Sequence, residues 1–110
     1  MAKFEITTRK NGEFQFNLTA GNGQTILSSE GYSSKAACMN GVESVRKNSQ
    51  EDQRFERLEA KNGKFYFNLK ATNGQIIGSS QMYESMASRE NGIQSVMKNA
   101  PSAVIDDKTQ

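Results

Sequence analysis

The chain has 110 residues, with 14 Lys and Arg against 12 Asp and Glu, and its formal charge of +2 is too balanced to indicate nucleic acid or an anionic membrane as an obvious partner. Histidine is absent, which excludes imidazole general-base catalysis, Ser-His and Cys-His nucleophile pairs and histidine metal sites. A single cysteine excludes an intramolecular disulfide, and neither a signal peptide nor a membrane span is recognisable, so the sequence predicts a cytoplasmic protein with no membrane association.

Alternating apolar residues predict a strand at Phe4–Lys10, which runs into Asn11-Gly12. Asn-Gly is typical of a type I′ hairpin turn, because both central positions of that turn require a positive φ. The second predicted strand is Glu13–Ala20. Its period of two places four apolar residues on one face: Phe14, Phe16, Leu18 and Ala20. A second Asn-Gly turn leads into the third strand, Gln24–Ser29.

A helix is predicted at Ser34–Asn48, because a serine-rich N-cap precedes apolar residues at helical spacing. The Asn40-Gly41 pair looks like another hairpin turn but lies inside that spacing, so we place Gly41 within the helix. A central glycine costs about 1 kcal/mol relative to alanine. We therefore expect Gly41 to mark a close approach of the helix backbone to its neighbours.

The chain then repeats itself. A shift of 51 residues aligns 4–48 with 55–99 without a gap, and 25 of these 45 positions are identical. The repeat predicts strands at Phe55–Lys61, Lys64–Ala71 and Gln75–Ser80, and a helix at Ser85–Asn99 that contains Gly92. Two copies are too few for a solenoid, so we expect a pseudo-twofold unit in which each copy completes the other.

The repeated pattern resembles a known family. NGxFxFNLxAxNGQxI, then Ser-Ser, an aromatic residue, a serine-capped helix with NG(V/I)xSV and a final Lys-Asn are similar to the YegP-like family of uncharacterised bacterial proteins in its tandem-repeat form. The resemblance implies an antiparallel sheet with two helices. It also implies that the strands after the helices, RFERL and AVID, are exchanged between the halves. The family has no established activity, so it supplies no catalytic residues.

These observations together predict an α+β fold. Two tandem βββα(β) repeats, approximately 4–50 and 55–102, form one pseudo-twofold unit, an antiparallel sheet with two helices packed on one face. The whole of 1–110 is then a single domain, and 106–110 is a polar C-terminal tail. Asp106 and Asp107 are interpreted as solvated residues of that tail rather than as a metal site.

No constellation of residues indicates catalysis or cofactor binding, and we predict no catalytic, cofactor-binding or metal-binding residues. Cys38 aligns with Arg89 in the second copy, which favours a small buried or half-buried helix residue over a reactive thiol. On that basis Cys38→Ser is expected to change stability little. The only carboxylate that recurs is the pair Glu5 and Glu56. The glycines lie at turns and do not form a phosphate loop.

The polar face of the second strands is the remaining candidate for function. We predict a partner-binding face formed by Gln15, Asn17, Lys64, Tyr66, Asn68 and Lys70. The stretch KFYFNLK is similar to single-strand-binding sheets, in which aromatic residues stack on bases and lysines follow phosphates. Only Tyr66 among these aromatics lies on the polar face, however, and a solvated sheet face is the favoured explanation of the pattern. For the repeated asparagines a structural role is favoured, in which they bond across the sheet or cap a turn, over membership of a shallow polar site.

The sequence therefore predicts a small, non-enzymatic binding module. An unknown protein partner is favoured. The alternatives are weak binding of single-stranded nucleic acid on the polar face, and a small-ligand or enzyme site that no sequence motif indicates. The full chain is expected to be a monomer, because its two copies pair within one molecule.

Overall fold

Each half of the chain forms three strands and a helix, in the computed structural model that describes residues 1–109. The first half contains β1 (Lys3–Thr8), β2 (Phe14–Thr19), β3 (Thr25–Ser28) and α1 (Lys35–Asn48). The second contains β4 (Phe55–Glu59), β5 (Phe65–Lys70), β6 (Ile76–Ser79) and α2 (Met86–Asn99), and it is followed by β7 (Val104–Asp107). A short 3₁₀ helix, Asp52–Arg54, which the sequence does not predict, joins the halves. The repeated strands and helices are otherwise where the sequence predicts them, to within two residues.

The hairpin turns adopt a conformation other than the predicted type I′. Gly12 has a φ of 88°, but no non-glycine residue between 1 and 109 has a positive φ. The Gly12 amide donates to the Arg9 carbonyl, and the Arg9 amide donates to the Glu13 carbonyl. This is a type I turn closed by a left-handed glycine, the usual three-residue hairpin loop. The Asn11 side chain accepts from the Glu13 amide at 3.0 Å, a bond that favours this turn.

The remaining Asn-Gly pairs of the strand turns repeat the same geometry, with positive φ at Gly23, Gly63 and Gly74. The prediction of a type I′ turn is therefore wrong at Asn11-Gly12 and at its repeat Asn62-Gly63, because an Asx bond stabilises the asparagine at negative φ.

The two helices begin and end at equivalent residues. Ser34 caps α1 by accepting from the Ala37 amide, and Ser85 caps α2 by accepting from the Ser88 amide. Both central glycines lie inside the helices, as predicted, and both are buried. A β-carbon at Gly41 would collide with the hydroxyl of Tyr32, and one at Gly92 with the hydroxyl of Tyr83. The glycines are therefore required by close packing rather than by a helix break.

The sheet is mixed and has the order β4-β5-β6-β3-β2-β1-β7. Antiparallel pairing of β3 with β6, through Ser28 and Ser79, joins the two repeats at the centre. Helix α1 packs on β2 and also on β6 of the other repeat, and α2 packs on β5 and on β3. The predicted α+β fold of two repeats is confirmed, with the correction that one strand pair is parallel.

That parallel pair is β1 with β7, in which Lys3 is opposite Val104 and Ile6 is opposite Asp107. After each helix the chain runs in the same direction as the first strand of a repeat. The position beside β2 is already occupied by β1, so β7 pairs with the outer edge of β1 and runs parallel to it. The implied exchange is therefore half correct: the segment that begins at Ala103 crosses to the first repeat, whereas 54–58 contributes the second repeat's own first strand, β4.

The placement of β7 also corrects the predicted polar tail. Asp106 and Asp107 belong to a strand, and Asp107 Oδ2 lies 2.8 Å from Lys35 Nζ on α1. Lys3 Nζ lies 3.8 Å from Asp106. Lys108 and Thr109 follow the strand, and Gln110 lies outside the described residues.

The core lies between the sheet and the two helices. Its fully buried side chains include Phe4, Ile6, Phe16, Leu18, Leu27, Phe67, Leu69, Val42, Val45, Ile93 and Val96. Cys38 is also completely buried, and burial, with a smaller contribution from the charge of Asp107, raises the pKa of its thiol. A thiol held neutral in this way is a poor nucleophile.

Leu27 and Gly78 occupy equivalent positions next to the pseudo-twofold axis. A β-carbon at Gly78 would lie 2.7 Å from Cγ of Leu27. Only one of the two positions can therefore carry a large side chain, and the two repeats must differ there. Neither helix within residues 1–109 is long and apolar enough to cross a membrane.

Candidate functional site

The predicted polar face spans the side of the sheet opposite the helices. Asn17 is opposite Ser28, Ser28 is opposite Ser79, and Ser79 is opposite Asn68. Glu5 and Glu56 extend this row at its two ends. The structure thus brings the asparagines of the two repeats into one polar row, but three strand spacings, about 14 Å, separate β2 from β5.

The asparagines have different hydrogen bonds. Asn68 Nδ2 donates to Glu56 Oε1 at 3.2 Å, and its Oδ1 accepts from Ser79 Oγ at 2.7 Å. Within residues 1–109, Asn17 Oδ1 accepts from Gln15 Nε2, on the same strand, and from no other side chain. Asn68 therefore bonds to both neighbouring strands, as expected if its role is structural.

The lysines of the face are paired with carboxylates. Lys70 Nζ lies 3.1 Å from Glu56, and Lys64 Nζ lies 3.6 Å from Glu84. The hydrogen bonds from Asn68 and Lys70 lower the pKa of Glu56, so that this carboxylate is charged at neutral pH. Tyr66 is half-buried on β5 between these pairs. The face thus presents little uncompensated positive charge to a phosphate backbone.

Two clefts on the helix side of the sheet are a second candidate, which the sequence reasoning missed. Cleft 1, of about 460 Å³, lies between α1 and the turn between β5 and β6 of the other repeat. Cleft 2, of about 380 Å³, lies between α2 and the turn between β2 and β3. Each cleft therefore exists only when the two repeats are joined.

The clefts are lined by equivalent residues. Ten pairs of positions contribute one residue to each cleft. In the first four pairs below, the residue written first lines cleft 2 and its counterpart lines cleft 1, and in the other six the reverse holds. The pairs are Ala20/Ala71, Asn22/Asn73, Gln24/Gln75, Ile26/Ile77, Glu30/Gln81, Tyr32/Tyr83, Ala37/Ser88, Asn40/Asn91, Gly41/Gly92 and Ser44/Ser95. Eight of these ten pairs are identical. Cleft 1 is lined in addition by Gly31, Ser33 and Ile76, whose counterparts Met82, Glu84 and Thr25 differ and do not line cleft 2. Only the fold shows which of these positions line one cleft.

A tyrosine and the helix glycine form the inner wall of each cleft. The ring of Tyr32 stacks on Phe16 with centroids 6.2 Å apart, and Tyr83 stacks on Phe67 at 6.3 Å. Since the glycine has no side chain, the tyrosine hydroxyl can lie directly against the helix backbone. Burial raises the pKa of Tyr32, with a further contribution from the charge of Glu30, so the hydroxyl stays protonated.

The chemistry that the clefts offer is hydrogen bonding without acid-base catalysis. Amides and hydroxyls dominate both linings, and Glu30 is the only ionisable carboxylate among them. A two-carboxylate hydrolytic site would need a second such group. No cluster of three potential metal-ligating side chains exists among residues 1–109. Both linings therefore offer hydrogen-bond donors and acceptors to a polar molecule.

The family model of a domain of unknown function, DUF1508, matches the chain twice, at residues 10–56 and 60–107. Each matched range begins at the first hairpin and ends in the strand that follows the helix. The family's unit is therefore a hairpin, a helix and a closing strand.

Bacterial relatives match nearly the full length. The UPF0339 protein YegP of Shigella flexneri is 55% identical over 106 residues, 96% of each chain. A UPF0339 protein of Pseudomonas aeruginosa is 53% identical over 108 residues, 98% of each chain.

Two solution NMR structures have the same fold. The protein of unknown function yegP from E. coli has a TM-score of 0.93 and 52% identity, covering 97% of this chain and 92% of that one. A UPF0339 protein of Shewanella oneidensis has a TM-score of 0.91 and 52% identity, covering 96% and 90%. The predicted resemblance is confirmed, and none of these names states an activity.

Proposed function

The chain belongs to the DUF1508 family, in the YegP-like tandem form, and we propose that it is a small non-enzymatic binding module that holds a small polar ligand in each repeat-junction cleft. One observation carries the proposal: Gln24 with Asn91, and Gln75 with Asn40, are exposed amide pairs that line the two clefts and are identical in both repeats. These four side chains make no hydrogen bond of their own within residues 1–109.

Other identical positions in the clefts have structural explanations. Asn22 and Asn73 stabilise the turns, and Gly41 and Gly92 allow close packing. Ser44 and Ser95 accept from the asparagines that end the helices. The exposed glutamines and the Asn40/Asn91 pair have no such task. Retention of unbonded surface amides at equivalent positions supports a role in recognition, because amide groups can both donate to and accept from a ligand.

A non-enzymatic role is supported by what the clefts and the core contain. The only thiol is completely buried, and neither cleft 1 nor cleft 2 holds two carboxylates. The chemistry available is therefore binding through hydrogen bonds and one aromatic edge. A ligand in either cleft would touch both repeats and would stabilise their association.

The polar sheet face stays a predicted surface for a protein partner. Nucleic acid is less favoured there, since Lys64 and Lys70 already have acidic partners. Binding of this kind would weaken steeply with salt. We expect a single-stranded oligonucleotide to bind no more tightly than the micromolar level typical of general electrostatics, and with no preferential shift of the Tyr66 amide.

The test is a fragment screen followed by amide chemical shift mapping on the ¹⁵N-labelled full chain. The library contains neutral polar, cationic and anionic fragments, with a single-stranded oligonucleotide as a separate probe. We expect polar fragments to shift the amides around Gln24, Asn91, Gln75 and Asn40. Double alanine substitution at Gln24 and Asn91 should abolish the response of cleft 2 and leave that of cleft 1.

The matched control is Gln94→Ala, which removes an exposed amide of α2 outside both clefts and should change nothing. The proposal would be overturned if fragments shifted only the sheet face, or if no fragment shifted either cleft at millimolar concentration.

A further inference from the structure

We infer that the two clefts are selective for different ligands: cleft 1 takes a molecule that carries an ammonium group beside hydroxyl or amide groups, and cleft 2 takes a neutral one. This inference rests on the proposed function and names the ligand class of each cleft. It follows from the two lining pairs in which the clefts differ, Glu30/Gln81 and Ala37/Ser88.

Glu30 places a negative charge at the border of cleft 1, where the equivalent residue of cleft 2 is the neutral Gln81. Both residues are exposed, and the Glu30 carboxylate has no cationic group within 4 Å among residues 1–109. The carboxylate is therefore available to a ligand.

The charged residues nearest to Glu30 in the fold compensate one another. A side chain at Gly31 would meet both Arg9 and Glu13, so these two residues lie next to the cleft border. Arg9 Nη1 lies 3.9 Å from Glu13 Oε1, and its Nε donates to Gln15. Arg9 therefore has an acidic neighbour of its own, and Glu30 is the one charged residue among 1–109 that lines the cleft.

The charge of Glu30 reaches into cleft 1. It is one of the causes that raise the pKa of the Tyr32 hydroxyl, which forms the inner wall. An ammonium group bound between Glu30 and Tyr32 would meet a carboxylate and a hydroxyl oxygen. Asn40 and Gln75 supply the amides for the remaining polar groups of such a ligand.

Cleft 2 lacks an equivalent charge. Glu84, the carboxylate closest in sequence to Gln81, lies 3.6 Å from Lys64 and is absent from the lining. The second difference adds a hydroxyl in place of a methyl group, since Ser88 replaces Ala37. Both changes favour neutral hydrogen-bonding ligands in cleft 2.

The test uses glucosamine, whose amine is protonated at mildly acidic pH, and glucose, its neutral counterpart, titrated into the full chain. We expect glucosamine to bind cleft 1 about two- to fivefold more tightly than glucose, the range of an exposed ion pair, and to bind cleft 2 no more tightly than glucose does. Amide shifts around Asn40 and Asn91 report the two clefts separately.

Two charge-exchange variants supply the controls. Glu30→Gln gives cleft 1 the neutral border of cleft 2, and it should abolish the preference for glucosamine. Gln81→Glu should create that preference in cleft 2. Both positions are exposed, so folding is preserved. Added salt should reduce the preference in cleft 1 of the wild type and in cleft 2 of Gln81→Glu.

The outcomes separate this inference from the proposed function. Equal affinity of cleft 1 for the two sugars, or a preference that survives Glu30→Gln, would overturn the charge selectivity. Fragments from the broader screen would still bind the clefts in that case, and the binding module would stand. Absence of any fragment from both clefts would overturn the two together.

Discussion

Single residues decide how closely the helices approach the sheet. Gly41 and Gly92 face the hydroxyls of Tyr32 and Tyr83, and these tyrosines stack in turn on Phe16 and Phe67. The missing β-carbon therefore positions the tyrosine that forms the inner wall of each cleft. The substitution of these glycines tests this packing.

Gly92→Ala should destabilise the protein by about 1–3 kcal/mol, although alanine is the better helix former by about 1 kcal/mol. The reason is that the new methyl group displaces the Tyr83 ring from Phe67. Urea unfolding measures the effect, with Gln94→Ala on the exposed face of α2 as the control, expected to be nearly neutral. A stabilising Gly92→Ala would show that the tyrosine moves aside without cost.

The burial of Cys38 changes the expectation for its substitution. The sequence predicts a small effect of Cys38→Ser, whereas the completely buried position predicts a loss of about 1–3 kcal/mol, because burying a hydroxyl costs more than burying a thiol. Cys38→Ala should cost less than Cys38→Ser. Thermal unfolding of the three proteins gives the order, and equal melting temperatures for wild type and the serine variant would restore the original expectation.

At the scale of elements, β7 explains why the repeats diverge around their first strands. Ile6 is completely buried next to β7, whereas its counterpart Arg57 lies on β4, at the opposite edge of the sheet. Arg57 pairs with Glu90 on α2 at 2.6 Å instead. Lys35 bonds Asp107, and its counterpart is Met86. The residues around β1, which β7 covers, are therefore apolar or bind β7, and the equivalent residue of β4, at the uncovered edge, is charged.

The Lys35–Asp107 pair makes the docking of β7 pH-dependent. Hydrogen bonds from Lys35 and Thr109 lower the pKa of Asp107 to about 2, from 3.8. The contribution to stability is therefore present above pH 3.8 and is lost as the pH falls towards 2. The protection factors of the β7 amides, which compare the observed exchange rate with the intrinsic rate at each pH, should therefore fall over this interval in the wild type.

Two variants check the assignment. Asp107→Asn should lower the protection factors of β7 at neutral pH and make them nearly independent of pH below 3.8. Lys35→Met, which installs the residue of the second repeat, should also lower them, and it should leave the smaller pH dependence that the hydrogen bonds of Thr109 supply. An unchanged pH profile in both variants would mean that another group controls β7.

The pairing of β3 with β6 places Leu27 beside Gly78. Leu27→Gly should cost several kcal/mol because it leaves a cavity, and Gly78→Leu should be destabilising because it overpacks the same space. The double variant moves the leucine to the equivalent position across the pseudo-twofold axis. It should be more stable than either single variant, which urea unfolding would show as a favourable coupling. Additive losses would mean that the two positions do not share one space.

At the scale of the whole molecule, neither repeat is complete alone. Helix α1 packs on β6, and β7 covers β1, so residues 1–52 lack partners on two sides. About fifty residues rarely bury enough apolar area to offset conformational entropy. A symmetric pair of such fragments would also place two Leu27 side chains where the intact protein holds one.

The fragment 1–52 should therefore be unfolded alone, and adding the separate fragment 53–110 should restore a folded one-to-one complex. Amide dispersion and sedimentation measure both. The full chain should sediment as a monomer, because its repeats are already joined. A folded, monomeric 1–52 would mean that the repeats are independent domains.

The sequence by itself determined the repeat, the α+β class, the strands and the capped helices, because alternation, turn residues and caps are local signals. It also placed Gly41 and Gly92 inside helices. It chose the wrong hairpin type, since the Asx bond that keeps Asn11 at negative φ depends on side-chain geometry. The polar row through Asn17 and Asn68 followed partly from spacing, but its register required the central pairing of β3 with β6.

Only the tertiary structure decided the course of β7 and the existence of the clefts. β7 runs parallel to β1 because β1 already occupies the place beside β2, a competition between segments a hundred residues apart. Each cleft lies between the helix of one repeat and a turn of the other, so that Gln75 and Asn40 line cleft 1, and Gln24 and Asn91 line cleft 2. Contacts between residues so distant in the chain leave no local pattern, and they exist only once the two repeats share a sheet.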